Sequence, residues 1–137
     1  MAWEVTVDRN MKILIVDDFS TMRRIIKNLL HDLGYDNLYE ADDGTSALPL
    51  LKAGSFDFLI TDWNMPGMQG IELLRAVRSD CKLNTLPVLL VTAEARRDQI
   101  VMAAEAGVNG YIVKPFTAQT LKDKIDRVLE RIAAQTA

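Results

Sequence analysis

Five strand-length segments, each followed by a stretch with helical spacing, leave this chain little choice of architecture. The segments are 13–16, 37–41, 58–61, 88–91 and 111–113. Those at 13–16 and 88–91 are apolar throughout, the pattern of a parallel strand covered on both faces. Strands alternating with helices at this interval imply right-handed crossovers. They also imply an α/β fold: a five-stranded parallel sheet, doubly wound, with helices on both faces. The 137 residues fit one such domain.

The intervening segments carry their own boundary signals. Met22, Ile25, Ile26, Leu29, Leu30 and Leu33 form one apolar helix stripe, and Gly34 stands where a left-handed C-terminal cap belongs. Asp42 or Asp43 can cap a helix over 44–53. Pro49 lies inside it, at a cost of about 3 kcal/mol if the helix is regular, so a kink or a late start is expected there. A helix over 70–78 turns Ile71, Leu74 and Val77 inward, and a polar loop with Asp80, Cys81 and Asn84 follows. A further helix covers 97–106 and stops at Gly107. Thr117 caps the last helix, with Leu121, Ile125, Val128, Leu129 and Ile132 inward. Residues 1–10 read as a tail in which Trp3, Val5 and Val7 alternate as in a half-buried strand, and residues 11–137 as the domain.

The chemistry gathers at strand ends. Asp17 and Asp18 follow the first strand, Asp62 the third, Thr92 the fourth and Lys114 the fifth. Parallel α/β sheets bind ligands beyond the carboxyl ends of their strands, at the point where the winding reverses. Three carboxylates there would repel one another unless something offset their charge. Lys114 supplies one positive charge, and a hard divalent cation of the Mg2+ type would supply the rest. Asp62 stands alone at its strand end, which makes it the candidate nucleophile toward phosphorus. Lys114 and Thr92 can bond phosphate oxygens. The single histidine, His31, falls off its helix stripe, and a solvated residue is a better reading than a phosphodonor or metal ligand.

Composition closes off several classes. The net charge of −3 argues against a nucleic-acid or membrane-surface role. No apolar run reaches the roughly 18 residues of a membrane span, and the N-terminus lacks the pattern of a signal peptide. Cys81 is the single cysteine and fits a reducing compartment, so a cytoplasmic location is expected.

The runs Val16-Asp17-Asp18-Phe19-Ser20-Thr21-Met22-Arg23-Arg24, Asp62-Trp63-Asn64-Met65-Pro66, Val91-Thr92-Ala93-Glu94-Ala95 and Tyr111-Ile112-Val113-Lys114-Pro115-Phe116 resemble the motifs of response-regulator receiver domains. The resemblance spans 11–134, and the contexts of Asp62 and Thr92 are similar to the single-domain chemotaxis type. It implies a flavodoxin-like strand order 2-1-3-4-5 and a 4-aspartylphosphate on Asp62. It also implies Mg2+ held by Asp18, Asp62 and the backbone carbonyl of Asn64, with Asp17 acting through water. Lys114 and Thr92 would contact the phosphoryl group, and Tyr111 would turn inward when Thr92 moves. The implied output face is Glu94, Ala95, Arg97, Ile100, Val108, Tyr111, Lys124 and Arg127. The implied partners are a chemotaxis histidine kinase, the flagellar motor switch protein and a possible phosphatase, acting on a monomer.

Two other readings compete. A phosphohydrolase of the haloacid dehalogenase type needs a second Asp two residues after its nucleophile. Asn64 occupies that place after Asp62, and Phe19 after Asp17, which argues against turnover on an external substrate. The expected chemistry is therefore limited to the protein's own phosphorylation and dephosphorylation. A stand-alone receiver serving as phosphate sink or relay in another two-component system is the alternative to motor control. The latter is favoured because no output domain follows residue 137. A flavin-binding reading fails for lack of a Ser/Thr/Gly-rich phosphate loop after the first strand.

Overall fold

A computed structural model describes residues 9–93 and 96–136. The strand expected near Val5 lies outside them, as do Glu94 and Ala95. In chain order the elements are β1 (Ile13–Val16), α1 (Ser20–Asp32), β2 (Leu38–Ala41), α2 (Gly44–Ala53), β3 (Phe58–Asp62), α3 (Gly70–Ser79), β4 (Val88–Thr92), α4 (Arg97–Glu105), β5 (Gly110–Val113) and α5 (Ala118–Thr136). All pairings are parallel, in the order β2-β1-β3-β4-β5. This is the flavodoxin-like arrangement, and its winding reverses between β1 and β3.

Strand pleating explains why the sheet needs cover on both sides. Leu14, Val16, Leu59, Val88 and Leu90 point into one apolar cluster, together with Leu51 of α2, Leu74 of α3 and Ala103 of α4. Ile13, Ile15, Phe58, Ile60, Leu89, Val91 and Ile112 point into the other, together with Ile26 and Leu30 of α1 and Leu121, Ile125 and Val128 of α5. Each large side chain so buried contributes about 1.5–3 kcal/mol. The apolar strand interiors anchor the sheet so firmly that polar residues at its edge can be placed for chemistry.

Most helix boundaries follow the expected caps. The Asp43 carboxylate accepts the Ser46 N–H at 2.7 Å, and this bond holds its carboxyl below the usual range. Gly34 takes the left-handed conformation at φ 95° just beyond α1. Thr117 Oγ1 accepts the Thr120 N–H at 3.2 Å at the head of α5.

Two expectations need correcting. No late start occurs in α2, which is continuous from Gly44 and carries Pro49 in its interior. Ile25 is not part of the buried stripe of α1; it is 45% exposed, while Ile26 and Leu30 are buried. The stripe is thus narrower than the apolar spacing suggests.

Arg78, at the end of α3, closes the opposite end of the molecule. It donates to the carbonyls of Gly107 at 2.9 Å and Leu86 at 2.7 Å and to Asn109 Oδ1 at 2.7 Å. That one side chain ties the connection from α3 to β4 to the connection from α4 to β5.

Candidate functional site

The site is built where β1 and β3 leave the sheet side by side. Val16 is in register with Thr61, so Asp17 and Asp62 emerge next to each other. Asp17 is fully buried, Asp62 is 6% exposed and Thr92, at the end of β4, is also buried. Lys114 comes from the residue after β5, where its N–H donates to the Thr92 carbonyl at 2.8 Å. Its ammonium lies 3.2 Å from Asp62 Oδ1 and 3.4 Å from Asp17 Oδ2. Asp17, Asp18 and Asp62 each bring one carboxylate oxygen to within 4.8 Å of the others. The five strand-end residues picked out by spacing therefore do meet at one edge.

The electrostatics are those of a charge-deficient pocket. Burial, followed by the Asp17 charge, raises the Asp62 pKa from 3.8 to about 6, even though Lys114 works in the other direction. One ammonium is not enough to offset the crowd. Asp18 Oδ1 is buried and has no hydrogen-bond partner among the described residues. Buried carboxylate oxygens are rarely left so. A hard divalent cation would satisfy that oxygen and neutralise the cluster, and converging carboxylates supply the oxygen donors such an ion takes, with water completing its shell. The residues present fit Mg2+.

Asn64 lies two residues past Asp62, at the exposed start of the loop that returns to α3. That loop is held by the Gly70 N–H, which donates to the Trp63 carbonyl at 2.9 Å. A Cβ at Gly70 would fall 2.2 Å from the Asp62 carbonyl oxygen, so only glycine permits the close return. Neither Gly70 nor Arg78 was singled out by sequence reasoning. A glycine opening a helix was the visible signal for the first, and nothing marked the second.

A second feature lies between α4, β5 and α5. Ile100, Val108, Tyr111, Lys124 and Arg127 line a groove of about 350 Å³ together with Arg131. Of the described residues expected on an output face, Arg97 alone is not part of this lining; it is exposed at the start of α4. Tyr111 is half-buried, with the Lys124 ammonium 5.1 Å from its ring centre. Behind it a void of about 10 Å³ separates Tyr111 from Thr92, Trp63 and Ile100. His31 is solvent-facing and pairs with Asp36 at 3.1 Å, away from the carboxylate cluster. The solvated reading of that residue holds.

This doubly wound sheet with its acidic carboxyl edge is a signalling receiver: the chain belongs to the response regulator receiver domain family, whose pattern matches residues 13–126. Among its relatives are chemotaxis proteins. It is 75% identical to Chemotaxis protein CheY of Pseudomonas aeruginosa over 122 residues, covering 89% of this chain and 98% of the relative. It is 68% identical to Chemotaxis protein CheY-3 of Vibrio cholerae over 129 residues, covering 94% and 99%. Among solved structures, chemotaxis protein CheY4 of Vibrio cholerae superposes with a TM-score of 0.81 at 35% identity, covering 87% of this chain and 98% of that one. Among the described residues, no helix is long and apolar enough to cross a membrane.

Proposed function

We propose that this protein is a phosphorylation-controlled switch of bacterial chemotaxis. Asp62 accepts a phosphoryl group from a histidine kinase in a Mg2+-dependent transfer. The phosphorylated form then binds the flagellar motor switch. The observation that carries this reading is the meeting of Asp17, Asp18 and Asp62 with the Lys114 ammonium at the winding reversal of the sheet.

In the transfer, an Asp62 carboxylate oxygen attacks phosphorus. The bond from phosphorus to the donor's imidazole nitrogen breaks, and its electron pair stays on the ring. Asp18, Asp62 and the Asn64 carbonyl would hold Mg2+, with Asp17 behind them, and the ion would neutralise charge developing on the transferring group. Lys114 already sits against Asp62 Oδ1 and can move its bond to a phosphoryl oxygen. The Thr92 hydroxyl can reach another from the end of the adjacent strand. The protein's own turnover is then limited to gaining and hydrolysing the aspartyl phosphate.

The output reading rests on the chemistry of the α4–β5–α5 groove. Ile100 and Val108 give it an apolar floor, and Lys124, Arg127 and Arg131 give it a cationic wall. Such a groove suits a segment with an apolar anchor flanked by carboxylates. Thr92 and Tyr111 line one void, so movement of the Thr92 hydroxyl would change the space open to the ring.

The test is a titration of a motor-switch peptide into the protein, alone and with Mg2+ plus beryllofluoride as phosphoryl mimic. The reading expects at least tenfold tighter binding with the mimic. Equal affinity in the two states would reduce the protein to a phosphate sink or relay.

A further inference from the structure

Asp17 and Asp18 flank a single peptide unit. Whatever fixes the carbonyl of that unit restrains the backbone from which both side chains project. Here it is Arg23, the fourth residue of α1. Its Nη1 donates to the Asp17 carbonyl oxygen at 2.5 Å, and its Nε donates to Glu40 Oε1 on β2 at 3.1 Å. Lys27 holds the other oxygen of that carboxylate at 3.2 Å. These bonds outweigh the upward push of burial and keep the Glu40 carboxyl below its usual range. The other end of the loop is fixed too: Asp17 Oδ1 accepts the Phe19 N–H at 2.9 Å, and the Phe19 carbonyl accepts the Arg23 N–H at 3.1 Å. The Arg23 side chain is 17% exposed. A continuous chain of bonds therefore runs from the edge strand, through the guanidinium, to the middle of the carboxylate cluster.

A guanidinium in that place repels a second cation. On charge alone, removing it would tighten cation binding. A geometric role makes the opposite prediction. We propose that Arg23 is a positioning residue for the cation site: braced by Glu40, it clamps the Asp17–Asp18 peptide so that both carboxylates point toward Asp62. The proposal rests on Asp18 and Asp62 being ligands of the cation, with Asp17 behind them.

The test is direct binding of Mn2+ to the full-length, unphosphorylated protein. Binding is counted from the loss of the free ion's paramagnetic resonance signal and competed with Mg2+. Two arms establish the ligand set: wild type must bind, and Asp18→Asn must lose the ion. If either fails, the ligand reading fails and the proposal falls with it. Given that, Arg23→Ala should weaken Mn2+ about tenfold, the low end of what outer-shell partners of metal ligands are worth. Arg24→Ala removes the same charge one residue away and should leave affinity unchanged or slightly tighter. Arg23→Lys keeps the charge but not the fork that spans carbonyl and carboxylate, and should fall between wild type and Arg23→Ala. Should Arg23→Ala not fold, the Lys variant decides alone: affinity equal to wild type overturns the proposal. So does an Arg23→Ala protein that folds and binds the ion as well as Arg24→Ala does.

Discussion

Asp62 carries the strongest testable consequence at the scale of single residues. Its folded pKa of about 6 lies above the ordinary 3.8, so the folded protein binds that proton more tightly than the unfolded chain. The stability this contributes is complete below pH 3.8 and is lost as pH rises to about 6. Above that window the ionised carboxylate is a liability of at most about 3 kcal/mol. Asp62→Asn should therefore stabilise the metal-free protein at pH 7.5, with the advantage shrinking toward pH 4 and abolished by saturating Mg2+ in wild type. Thermal melts at the two pH values, with and without the ion, check this; a pH-independent difference would contradict it. Arg78 makes the opposite case, since its bonds serve the fold alone. Arg78→Ala leaves the carbonyls of Leu86 and Gly107 without their donor and should cost about 2–3 kcal/mol in urea unfolding while leaving phosphorylation intact. The sequence showed Asp62 because carboxylates are conspicuous at the end of an apolar run. It hid Arg78 and Arg23 because their partners are mostly main-chain carbonyls, whose positions no residue type announces.

Elements were legible wherever a single physical signal controlled them. The parallel strands 13–16, 58–62 and 88–92 are dictated by continuous burial on two faces, and their ends by the arrival of polar groups. Helix α2 shows the limit. Intrinsic propensity argued for a kink or a late start at Pro49, but the Asp43 cap at one end and buried Ala47 and Leu51 on the inner face hold the helix from Gly44 through it. Pro49 is exposed and gives no packing in return. Pro49→Ala should therefore stabilise the protein by about 1–3 kcal/mol without altering the site, which equilibrium unfolding would show. No gain would mean that α2 is already distorted around the proline. Helix α1 shows the other limit: apolar spacing placed Ile25 inward, but it is exposed, while Ile26 and Leu30 are buried and Met22, Leu29 and Leu33 pack partly buried beside them.

For the whole molecule the question is how a phosphoryl group at one edge of the sheet reaches the α4–β5–α5 face. The void between Thr92 and Tyr111 has room for about one water, far less than a phenol ring. Tyr111 can turn inward only if Ile100 and its neighbours on α4 give way, which makes the transition two-state rather than a simple rotamer flip. Driving such an equilibrium from 1:99 to 99:1 takes about 5.5 kcal/mol. One hydrogen bond to a charged phosphoryl group contributes about 1.5–3 kcal/mol. Phosphorylation alone should thus shift the population only in part, and the partner should complete the change. Fluorotyrosine resonances at Tyr111 should show two environments with beryllofluoride and one after motor-switch peptide is added; full conversion without peptide would refute the graded switch. All of this depends on Asp62 being the acceptor. The most direct measurement is intact mass after incubation with Mg2+ and a small-molecule phosphodonor, quenched in acid. The account predicts one phosphoryl adduct, absent in Asp62→Asn and absent when a chelator is present. An adduct that survives either control, or none in wild type under conditions where beryllofluoride also fails to bind, would contradict it.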